Sequence, residues 1–192
     1  MGASFTSIVL QGPTQEDVAA ALRADRRSAF VSPTTAGRTV VFDEASERQD
    51  ESLPTLAVEL SKRFRCAALA VLVHDSDVLL LNLFESGRER DGYNSAPTYF
   101  DADGDPDELP EGGDAELLCR AFGTTDSAGL ERILRAVSGT EFVFEEQRLA
   151  AIVLALGLPQ FVAELGFSAL RDAELQPSLD VGVDIASMVR TP

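Results

Sequence analysis

The chain has 192 residues, 45% of them hydrophobic, and carries 32 carboxylates against 16 basic side chains, for a net charge of −16. That balance excludes polyanion binding and attachment to anionic membrane surfaces as working modes, because both rest on clustered Lys and Arg. One histidine and two cysteines, Cys66 and Cys119, likewise exclude a multi-histidine metal centre and a disulfide-stapled scaffold.

Residues 5–11 read as a strand closed by Gly12-Pro13. Thr14, with Asp17 three positions on, then caps a helix that carries Val18, Ala21 and Leu22 at helical spacing and ends near Asp25. Apolar and β-branched runs at 28–32 and 38–43, separated by Pro33-Thr34-Thr35-Ala36-Gly37, predict a hairpin with a longer loop. The polar stretch 44–51 leaves the sheet. Ser52 is the expected cap of a second helix, with Pro54 in its first turn and Leu56, Leu60 and Phe64 on one face. Unbroken apolar runs at 69–73 and 78–84, joined by His74-Asp75-Ser76-Asp77, predict a strand pair buried on both faces. A turn at Gly87 and residues 89–93 add a further antiparallel strand.

This order predicts an α+β protein with a mixed or antiparallel sheet of about five to six strands in βαββαβ order, a ferredoxin-like arrangement with both helices on one face. Helices at 114–122 ending at Gly123, 127–137 ending at Gly139, and about 142–156 ending at Gly157 carry cap or C′ glycine signals, and they are expected to cover the open face. Residues 161–170 are apolar enough to dock, with Gly166 as a break. A single domain is expected over 1–175, sheet-rich at 1–100 and helical at 113–170, followed by an exposed or loosely packed tail at 176–192. Residues 1–10 lack a basic n-region and an apolar h-region. The longest apolar runs, 66–73 and 149–156, fall well short of the roughly 20 residues of a membrane span, so a soluble cytoplasmic protein is expected.

Three segments carry the chemistry. Asp101, Asp103, Asp105 and Asp107, followed by Glu108 and Glu111, alternate as the first ligands of a calcium loop do. The match to an EF-hand fails at Pro106, where glycine is required, and at Gly112, where a bidentate glutamate is required. A solvated acidic loop is therefore the default, and a calcium ion held by Asp101, Asp103 and Asp105 is the alternative. His74 lies beside Asp75 and Asp77, so it would serve as a general base if Cys119 or Ser95 came within reach. Adjacent strand residues point to opposite faces, however, which argues for a turn histidine without a mechanism. The run from Gly92 to Phe100 holds both tyrosines, an amide and two hydroxyls immediately ahead of the carboxylates. Tyr93, Asn94, Ser95, Tyr99, Asp101 and Asp103 are accordingly the expected partner-binding residues.

The absence of a catalytic kit and the acidic surface favour a protein-binding or inhibitory, immunity-like module with a basic protein partner. A carboxylate-based divalent-metal protein or hydrolase using residues 101–111 is the alternative.

Overall fold

The computed structural model describes residues 2–101, 109–137, 140–176 and 182–192. Among them β1 (Phe5–Gln11), α1 (Gln15–Ala24), β2 (Ala29–Val31), β3 (Arg38–Asp43), α2 (Ser52–Phe64) and β4 (Ala67–His74) give the expected βαββαβ succession. The chain continues through β5 (Val78–Glu85), β6 (Arg88–Asn94), β7 (Glu111–Gly112), α3 (Ala115–Phe122), α4 (Ser127–Arg135), α5 (Glu145–Ala155), α6 (Phe167–Leu175) and β8 (Val189–Thr191). The class is α+β, but the sheet is larger than the five to six strands expected. Its eight strands run in the order β7-β6-β5-β4-β1-β3-β2-β8, with every neighbouring pair antiparallel.

Both faces of the sheet are covered, which explains why β4 and β5 lack a polar face. Leu53, Leu56, Ala57 and Leu60 of α2 and Val18, Ala19 and Leu22 of α1 share a buried cluster with Ile8, Leu10, Val41, Ala68 and Ala70. The alternate residues of the same strands, Val9, Val40, Leu69, Val71 and Val73, join a second cluster with Leu118, Leu130, Leu149, Ile152 and Leu170 from α3 to α6. Each fully buried Leu contributes about 1.5–3 kcal/mol, against at most about 0.7 kcal/mol between the helix propensities of ordinary residues, so packing decides where these helices lie.

The helix ends differ from expectation in instructive places. Thr14 and Asp114 cap α1 and α3 as their spacing suggests, and Gly123 takes the left-handed conformation (φ 73°) that closes α3. Ser52, in contrast, is inside α2. The capping acceptor is Asp50, whose carboxylate takes the Ser52 amide hydrogen at 2.8 Å. Hydrogen bonds from Ser52 and Arg48 pull the Asp50 carboxyl down to about 2. Helix α5 starts at Glu145 rather than near 142, because Gln147 Oε1 accepts the amides of Val143 (2.9 Å) and Phe144 (3.3 Å) and holds them outside the helix. Helix α4 ends at Arg135, short of 137, and Gly139 lies outside the described residues.

The end of the expected tail is corrected as well. Residues 189–191 form an edge strand on β2, and Thr191 is buried. Its hydroxyl accepts the Ala29 amide at 3.0 Å and lies 2.6 Å from the Arg27 carbonyl. One further link was not legible in the sequence. Arg38, at the start of β3, donates to the carbonyls of Phe122 (2.6 Å) and Leu156 (3.4 Å), placing one guanidinium at the C-terminal ends of both α3 and α5.

Candidate functional site

The most elaborate surface lies where β4 passes into β5. Asp75 and Ser76 both adopt left-handed backbone conformations (φ 49° and 64°), and the Asp77 amide donates to the His74 carbonyl at 3.0 Å. That is the primed turn whose twist matches an antiparallel pair, and short polar residues tolerate it best. Three segments hold the turn. From residues 2–4, the Gly2 amide donates to Asp75 Oδ1, the Ala3 amide to Ser76 Oγ, and Ser4 Oγ accepts the Asp75 amide. A side chain at Gly2 would collide with the Asp75 carbonyl at 2.0 Å, so the close approach requires glycine. From α5, the Glu145 amide donates to the Ser76 carbonyl and Glu146 accepts the Ser76 hydroxyl, both at 2.9 Å. From the segment after β6, the Tyr99 hydroxyl donates to Asp77 at 3.1 Å.

His74 sits at the centre of this arrangement. Gln49, itself left-handed (φ 57°), donates its amide nitrogen to the Val73 carbonyl at 2.8 Å and turns its oxygen to His74 Nδ1 at 2.6 Å. Because an amide oxygen only accepts, Nδ1 donates this hydrogen bond. The imidazole packs against Tyr99 and Phe100, with ring centroids 6.0 and 5.3 Å away, and Tyr99 meets Phe100 edge-on at 5.0 Å. The hydrogen bond to Asp77 raises the Tyr99 pKa, so the ring stays a neutral phenol. Phe100 is 68% exposed and Tyr99 42%.

The residues expected to bind a partner divide sharply. Tyr93 is buried, its ring facing α3 to α6 and its hydroxyl donating to the Leu134 carbonyl at 3.0 Å. That burial also pushes its pKa far above the usual phenol range. Ser95 is buried just beyond β6, where its hydroxyl accepts the Leu79 amide at 2.8 Å and extends the sheet pairing. Neither side chain is available to a partner, and the expectation is corrected for both. Asn94 points to the opposite face from Tyr93, beside Leu80, Asn82 and Gly92 in a shallow hollow of about 330 Å³, and its oxygen accepts the Ala96 amide at 3.0 Å. Tyr99 and Asp101 are exposed.

Asp103 and Asp105, and with them the calcium site expected together with Asp101, lie outside the described residues. Among the described residues no group of three or more His, Cys, Asp or Glu is placed to hold a metal ion. The His74 ring meets Gln49, Tyr99 and Phe100, whereas Ser95 serves β5 and Cys119 is buried in α3, so the general-base pairing considered from the sequence is not assembled. Phe100 and Gln49 were not singled out. Phe100 carries a signal, as an aromatic next to a charged run, while Gln49 carries none.

Cys66 is half-buried, and burial pushes its thiol up to about 11. Only the thiolate reacts, so alkylation with iodoacetamide at pH 8 is expected to run about a hundredfold slower than for an exposed cysteine. Labelling at the free-cysteine rate would show that the residue is not held in this environment. No helix among the described residues is long and apolar enough to cross a membrane. Comparison of the chain with protein-family models, curated proteins and solved structures yields no match.

Proposed function

We propose that this protein acts by binding a basic protein partner, as an inhibitory or immunity-like module does, rather than by catalysing a reaction. The observation that carries the reading is a net charge of −16 combined with large aromatic side chains left exposed beside carboxylates: Tyr99 and Phe100 next to Asp75, Asp77 and Asp101. Uniform acidity alone serves solubility. Exposed rings held in fixed positions at the edge of that field add contact area with little ordering cost, which solubility does not require.

Opposed charge accelerates encounter and makes it salt-sensitive. A partner retained from a native lysate, once identified and purified, is expected to be basic, with an association rate that falls at least about tenfold between low and high salt. A neutral or acidic partner with a salt-independent rate would overturn the reading. Calorimetric titration separates it from the carboxylate-metal alternative, since stoichiometric calcium uptake at micromolar affinity would transfer the function to the acidic run.

A further inference from the structure

The sheet end at the β4–β5 turn carries a more specific assignment. We infer that the ring cluster of His74, Tyr99 and Phe100 is the docking point for an arginine side chain presented by the basic partner. This rests on the reading above and narrows it to one surface and one chemistry.

The cluster is built before any partner arrives. Gln49 fixes the imidazole, Asp77 fixes the Tyr99 phenol, and the two aromatic rings brace one another nearly at right angles (86°). A hydrophobic residue as large as Phe100 left 68% exposed gains little from burial in the chain itself. Its free ring face is the negative pole of an aromatic quadrupole and attracts a cation. The rim decides which kind of guest. Asp75 and Asp77 are both exposed beside the rings. An apolar partner segment would strip water from these carboxylates without replacing their hydrogen bonds. A cation satisfies them.

Arginine fits better than lysine for geometric reasons. A planar guanidinium stacks flat on a ring and still directs its N–H groups outward toward a carboxylate, whereas a compact, strongly hydrated ammonium cannot do both. The strand pairing makes the juxtaposition fixed rather than fortuitous. Leu80 pairs with Asn94 and His74 with Val78, so the chain leaving β6 returns to the turn between β4 and β5.

The test uses fluorescein-labelled arginine and lysine homopeptides of equal length, with affinity read by anisotropy at low salt for the full chain and for Phe100→Leu and Phe100→Ala. Both substitutions sit on an exposed position and leave the net charge unchanged, so general electrostatic attraction is preserved; matching thermal unfolding checks the fold. The wild type is expected to prefer the arginine peptide, and Phe100→Leu to weaken that binding by about threefold to tenfold while changing the lysine peptide by less than about twofold. Binding of both peptides with no effect of either substitution would overturn the docking point and leave the electrostatic function standing. No binding of either peptide would sink both. Equal binding of an uncharged leucine-rich peptide, or a concentration-dependent dimer in sedimentation that Phe100→Ala abolishes, would assign the rings to an apolar ligand or a second copy instead.

Discussion

Arg148→Met is expected to cost about 3–5 kcal/mol of folding stability, more than removal of any of the exposed ion pairs among the described residues. The Arg148 side chain is fully buried and that of Glu145 is 3% exposed. The guanidinium donates to both Glu145 oxygens, at 2.7 and 3.2 Å, and to the carbonyls of Ile133 (2.9 Å) and Ala136 (2.7 Å) where α4 ends, and it lies 5.2 Å from the Phe142 ring. Removing it takes the countercharge from a buried carboxylate and a hydrogen-bond donor from each of two carbonyls. Exposed pairs such as Arg135–Glu131 and Arg171–Asp172 are worth about 0–1 kcal/mol each, because water already solvates both partners. Glu145→Leu is expected to cost as much as Arg148→Met, through the uncompensated guanidinium. The double substitution should cost less than the sum of the two by at least about 2 kcal/mol, since the second change removes the charge that the first left stranded. Urea unfolding of the four proteins measures this directly; strict additivity would show that the two groups do not stabilise each other.

That pair also marks the limit of what composition and periodicity reveal. Glu145 and Arg148 are spaced like an ordinary surface pair at the start of an amphipathic helix, and only the packing of α5 against the end of α4 puts them inside. Features set by local chemistry were legible. Thr14, Asp114 and Gly123 announce helix ends because caps act within one turn, and the continuous apolar runs of β4 and β5 announce a sheet covered on both faces. Strands β7 and β8, of two and three residues, fall below the length at which alternation can be read, and tertiary pairing alone creates them. At the candidate site, the exposure of Tyr99 and Asp101 follows from their position in a polar loop. The misassignment of Tyr93 is a matter of parity. Its cross-strand neighbour is Leu81, which faces the helices, so Tyr93 must face them too. Gln49 was beyond reach, because a single polar residue in a turn gives no sign that it will meet a histidine 25 positions away.

The misread tail leads to a second large effect. Phe30→Ala is expected to cost about 3–5 kcal/mol, the range for emptying a fully buried aromatic site. Beyond its size, this ring is where the last elements of the chain attach. Phe30 is 1% exposed in the middle of β2, its ring lies 5.3 Å from that of Phe167 at the start of α6, and the Arg190 guanidinium of β8 sits 5.3 Å above its face. Arg190 also pairs with Glu174 of α6, so α6 and β8 are tied to each other and to one side chain. A three-residue strand contributes few hydrogen bonds of its own, and Thr191 supplies the remaining anchor through Ala29 and Arg27. Loss of the ring should therefore release this unit before the rest of the sheet opens. In native-state hydrogen exchange, Phe30→Ala is expected to raise the exchange rates of 167–175 and 189–191 well beyond those of β4 and β5. Phe122→Ala, which empties a comparable site in α3 within the same cluster, should lower global stability without that local preference. Uniform loss of protection in the Phe30 variant would mean that β8 and α6 are held by the sheet as a whole and that the aromatic attachment is incidental.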